Sequence, residues 1–122
     1  MHEDSRPRRK VVLVVEDEPH LLAMAGELVV DAGLEPVFAS DADEAVRILE
    51  SRDDIRIVFT DVTMPGSMDG EKLATAVCDR WPPIKLVVVS GGADPKLPPG
   101  AKFFRKPYLS DRIISALREF AA

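Results

Sequence analysis

Five short apolar runs punctuate the chain, and they limit its fold more than any other feature. VVLVV at residues 11–15 is a continuous run rich in β-branched residues, as expected of a central strand buried on both faces. EPVFA (35–39), IRIVFT (55–60), IKLVVV (84–89) and AKFF (101–104) follow as further strands. Helical patterns separate the first four. After the first strand, Pro19 suits a first helical turn, and Leu21, Leu22, Ala25, Leu28, Val29 and Ala32 make one apolar face that Gly33 terminates. Asp41 and Glu44 have the spacing of a capping box, opening a helix to about Glu50. Asp69 to Arg80 reads as a helix ended by Trp81-Pro82-Pro83, and a last helix carries Leu109, Ile113, Leu117 and Phe120 on one face. Strands alternating with helices imply an α/β fold: a doubly wound parallel sheet with right-handed crossovers and helices on both faces.

At 122 residues the chain is one domain, expected over residues 10–122 behind a flexible tail at 1–9. With 46% apolar and 30% charged residues it reads as globular and water-soluble. A net charge of −5 argues against nucleic-acid binding, which needs a concentrated basic surface. The one basic run, Arg6, Arg8, Arg9 and Lys10, reads as a solvated segment guarding the sticky strand behind it. No apolar run approaches a membrane span, so no membrane partner is expected. A single cysteine, Cys78, excludes an internal disulfide and fits a reducing, cytoplasmic location.

In open parallel sheets, ligands bind beyond the carboxyl ends of the strands. Those ends carry Glu16 and Asp17, then Asp61, then Ser90, then Lys106. If strands one and three are neighbours, they lie ~4.8 Å apart. Three carboxylates in that space would be forced toward protonation unless a cation intervened. An all-oxygen set with room for water suits Mg2+, or Mn2+, better than zinc. Neither His2 nor His20 is placed to help.

This combination resembles the receiver domain of two-component response regulators over about residues 10–121. VVEDE (14–18), DVTMPGSMDG (61–70), VVVSG (87–91) and FFRKP (103–107) carry the likeness. The resemblance implies a flavodoxin-like five-stranded sheet of order 2-1-3-4-5. It implies Asp61 as phosphoacceptor, with Glu16, Asp17, Asp61 and the backbone carbonyl of Thr63 around the metal. Ser90 takes the position of the hydroxyl that senses the phosphoryl group, Lys106 that of the phosphate-binding lysine, and Phe103 that of the switch aromatic. The chain is then a phosphorylated signalling switch, not an enzyme beyond its own Mg2+-dependent phosphorylation and dephosphorylation. Its donor is a sensor histidine kinase or histidine phosphotransfer protein. It would act as a single-domain regulator through protein contacts, with a weak homodimer as one form of contact, or as a phosphate sink. Two other readings are an unswitched binding module of the same fold and an aspartate-nucleophile phosphatase. The second wants an acid where Thr63 stands.

The chain departs from the family pattern in several places. Glu16 stands where Asp is commoner, and Ser90 lacks the methyl of Thr. Phe103 lacks a phenolic OH, and MPGSMDG is one residue longer than usual. The largest departure lies between Gly91 and Gly100, where Pro95, Pro98 and Pro99 leave no room for a crossover helix. The expected helix is therefore absent or reduced to a turn. A partner would meet a Pro-rich loop and the helix from Leu109 to Phe120.

Overall fold

Each apolar run forms a strand, and all pair in parallel. The computed structural model describes residues 9–62, 69–92 and 94–122. In chain order it runs β1 (Val11–Val15), α1 (Pro19–Asp31), β2 (Glu35–Ala39), α2 (Ala42–Ser51), β3 (Ile55–Asp61), α3 (Gly70–Arg80), β4 (Lys85–Ser90), β5 (Lys102–Arg105) and α4 (Ser110–Ala121). The five-stranded sheet has the order β2-β1-β3-β4-β5, so the chain reverses direction across the sheet beside β1 and β3. The tail expected at residues 1–9 lies outside the described residues except for Arg9, which is exposed.

Two apolar layers sandwich the sheet. On one face Leu13, Val58, Val88 and their neighbours pack against Leu49 of α2 and Leu73 and Val77 of α3. On the other, Val12, Val14, Ile57 and Val87 meet Leu28 and Val29 of α1 and Ile113 and Leu117 of α4. Leu13, Leu73, Ile113 and Leu117 are wholly buried, each worth roughly 1.5–3 kcal/mol over exposure. Arg56 is the exposed exception within the otherwise buried β3. The pairing with β1 shifts there, from Val11↔Ile55 to Val12↔Ile57, and the bulge turns Arg56 outward.

Helix starts follow local chemistry. The Asp41 carboxylate accepts from the Glu44 N–H at 2.7 Å. The reciprocal bond closes one residue earlier than a standard box, with Glu44 accepting from the Ser40 N–H at 2.6 Å. Asp69 accepts from the Lys72 N–H at 2.9 Å and caps α3. Gly33 ends α1 with φ +83°, a conformation glycine adopts without steric cost. Leu109 does not join the apolar face expected of it. It sits at the N-cap of α4, 69% exposed, while Ile113, Ala116 and Leu117 are buried.

Between β4 and β5 the described residues contain no helix, in keeping with the three prolines. Leu97 and Ala101 of this crossover pack on the layer that α2 and α3 cover. Among the described residues, no helix is long and apolar enough to cross a membrane.

Candidate functional site

Because all strands are parallel, their carboxyl ends share one edge of the sheet. Glu16 follows β1 directly, Asp61 ends β3, Ser90 ends β4 and Lys106 follows β5. The backbone places each group. The Glu16 N–H donates to the Ala39 carbonyl at 3.1 Å, and the Lys106 N–H donates to the Ser90 carbonyl at 2.8 Å. Glu16, Asp61 and Ser90 are 5%, 8% and 1% exposed, an uncommon concentration of buried polar groups.

The Lys106 ammonium donates to Oδ2 of Asp61 and forms an ion pair with it. Burial pulls the Lys106 pKa down, but the Asp61 hydrogen bond and charge, with Glu16 behind them, leave it above its ordinary value. Burial pushes the Glu16 carboxyl up to about 7, and the neighbouring charges of Asp61 and Asp17 add to this against the opposing pull of Lys106. Tyr108 and Thr60 line the same small pocket as Glu16, Asp61 and Lys106, a space of about 30 Å³, enough for one or two waters. Burial also raises the Tyr108 hydroxyl pKa, with the Lys106 charge opposing.

Gly70 brings α3 against this edge. A Cβ there would stand 2.1 Å from the Asp61 carbonyl oxygen, so only glycine permits the approach. The Gly70 N–H then donates to the Val62 carbonyl at 2.8 Å, joining the start of α3 to the residue after Asp61.

Of the expected metal-binding set, Glu16 and Asp61 converge on the pocket. Asp17 is exposed, does not line the pocket, and donates its N–H to Oε2 of Glu16 at 3.2 Å. Thr63 lies outside the described residues. No three His, Cys, Asp or Glu side chains form a ready metal cage among the described residues. The donor chemistry nonetheless fits Mg2+, which takes one or two carboxylates and completes its shell with water and phosphate oxygens. Among the described residues two buried carboxylates lie beside one ammonium, with Glu16 pushed toward neutrality, a setting that added positive charge would suit.

The Ser90 hydroxyl oxygen accepts from the Gly92 N–H at 3.2 Å. Phe103 is half-buried on the α2/α3 side of the sheet, packed on the same layer as Leu97 and Ala101. Two residues in or beside the FFRKP motif carry no expected role in the sequence. Tyr108, two places after Lys106, turns into the pocket, and Arg105, just before Lys106, reaches over the loop after β4. A side chain's direction at a strand end follows from the turn beyond it, which periodicity does not report.

The model of the response regulator receiver domain family matches residues 12–118. The chain belongs to that family, and is a phosphoacceptor switch domain of the two-component type. It is 30% identical over 119 residues to the hydrogenase transcriptional regulatory protein HoxA of Cupriavidus necator, a match covering 92% of this chain and 24% of that protein. The chain thus spans about a quarter of the length of the curated relatives it matches. Among solved structures it is similar to a response regulator receiver protein of Sinorhizobium medicae, with a TM-score of 0.85, 25% identity, and 93% and 94% of the two chains covered. It also shares the fold of the response regulator TrrA of Thermotoga maritima, solved in complex with Mg2+ and BeF, with a TM-score of 0.80, 22% identity, and 91% and 98% covered.

Proposed function

We propose that Asp61 is the residue that takes the phosphoryl group, and that Glu16, Asp17, Ser90 and Lys106 serve that transfer. The observation that carries this reading is the pairing of Lys106 with a buried Asp61 at the carboxyl edge of the sheet. A carboxylate oxygen of Asp61 attacks phosphorus in line. The bond from phosphorus to the donor's imidazole nitrogen breaks, and the electron pair leaves with that nitrogen. Lys106 then shifts its hydrogen bond from the carboxylate to a phosphoryl oxygen, where new negative charge must be neutralised. The Ser90 hydroxyl donates to another such oxygen. Glu16 and Asp61, with Asp17 next in the chain, would hold Mg2+, which would supply the remaining positive charge; the Thermotoga protein of the same fold was solved with Mg2+ and BeF.

The phosphoryl donor in this reading is a sensor histidine kinase or a histidine phosphotransfer protein. The modification acts as a switch by pulling Ser90 and the loop after it toward the new charge, and Phe103 repacks beside it. The helix-free crossover and the exposed face of α4 are where another protein reads the change.

The test is incubation with a small acyl-phosphate donor and Mg2+, followed by intact-mass measurement. The wild type should gain one phosphoryl group and Asp61→Asn none. Equal gain by both proteins, or none by either, would sink the proposal.

A further inference from the structure

Arg105, which the phosphoryl chemistry above does not use, ties down the loop after β4. Its Nη1 donates to the Gly92 carbonyl and its Nη2 pairs with the Asp94 carboxylate. Its guanidinium carbon lies 5.8 Å from the centre of the Phe103 ring. The reach follows from register, since Ser90 and Arg105 are partners across β4 and β5.

Among the described residues the tied segment has little other support: Gly91 and Gly92 carry no side chains, and no crossover helix follows whose own hydrogen bonds would hold them. A Cβ at Gly91 would come no closer than 3.9 Å to Lys106, so among the described residues nothing packs tightly against Gly91. Yet Gly92 sets the state of the Ser90 hydroxyl by donating its N–H to Oγ. A serine hydroxyl has a single hydrogen to give, and serine lacks the methyl that restricts threonine at χ1. The Gly92 bond occupies a lone pair and limits the rotamers from which the hydroxyl can donate.

We infer that Arg105 is a positioning residue for the Ser90 hydroxyl, acting through Gly92 where the described residues hold no crossover helix. Holding the Gly92 carbonyl and Asp94 keeps the turn ordered before the phosphoryl group arrives, so binding does not have to order it. The inference rests on the proposed role of Asp61 and Ser90. Its effect is confined to the step that Ser90 serves, and a general contribution of Arg105 to folding would not show that restriction.

The test is a double-mutant cycle read by calorimetric binding of beryllofluoride in saturating Mg2+. Arg105→Ala should weaken binding about three- to tenfold, the range expected for losing exposed charge-assisted contacts. On a Ser90→Ala background the same change should have no further effect. Arg105→Lys, which can satisfy one of the two acceptors, should recover part of the loss. Unchanged binding by Arg105→Ala would overturn the inference alone, as would an equal loss with and without Ser90. Failure of the wild type itself to bind would overturn the phosphoacceptor reading and this inference together.

Discussion

The two connections on either side of β4 do the same topological task with different materials. The link from β3 passes through α3, capped by Asp69, seated by Gly70 and anchored by the wholly buried Leu73, Ala74 and Val77. The link to β5 has no helix among its described residues and is held by a few side chains, Leu97 against the core and Arg105 over the turn. A helix fixes its backbone by repeating hydrogen bonds, so its geometry survives the loss of most single side chains. A loop held at isolated points has no such redundancy. Its contacts are individually weak, but each decides where one functional group points. The helical side of the site therefore reads as scaffold and the crossover side as the part that can move on phosphorylation.

This contrast can be broken by substitution, beginning with the largest expected effect. Gly70→Ala forces a methyl to within 2.1 Å of the Asp61 carbonyl oxygen and should cost about 2–4 kcal/mol in urea unfolding, together with slower phosphoryl gain at Asp61. Leu73→Ala, on the same helix, should lose about 2–4 kcal/mol. Leu97→Ala in the crossover should lose about 1 kcal/mol or less, because that side chain is only half-buried. A crossover variant as damaging as the α3 variant would show that the loop is a structural element after all. Asp69→Ala removes the α3 cap and should cost about 1 kcal/mol by the same measurement. Asp94→Ala should change stability by less than about 0.5 kcal/mol, since its ion pair with Arg105 is exposed on both sides.

The mildest prediction concerns pH. Glu18 caps α1 by accepting from the His20 and Leu21 N–H groups, and these bonds hold its carboxyl below the ordinary value of 4.5. A depressed folded-state pKa means that the contribution is fully present above the unfolded value. It fades as pH falls through the folded one. Glu18→Gln should therefore flatten the pH dependence of unfolding on the acid side of 4.5 and leave it unchanged at neutral pH. An unchanged acid slope would mean that the cap is not formed in solution.

Much of this protein could be read from its residues in order. The buried strands announced themselves because a parallel strand covered on both faces must be largely apolar; VVLVV meets that demand throughout and IRIVFT does from Ile57 to Phe59. The Asp41 cap was legible because it acts within one turn of chain, whereas Asp69, which reads as the first residue of its helix, is the cap of α3. Glu16, Asp17, Asp61, Ser90 and Lys106 stood at strand ends, so a parallel sheet had to bring them to one edge. That the described residues of the crossover hold no helix was equally plain, because three prolines in so short a span remove donors that a helix needs.

What only the tertiary structure decided were directions and close approaches. It turned Glu16 inward and left Asp17 exposed. It bulged the β1–β3 pairing at Arg56, which is exposed, left Leu109 exposed at the start of α4, and brought Tyr108 into the pocket. It also pressed Gly70 against Asp61 and laid Arg105 over Gly92. The physical reason is range. Periodicity and capping are local and repeat along the chain, whereas a contact between Arg105 and a glycine carbonyl depends on how two strands and a loop are set in register.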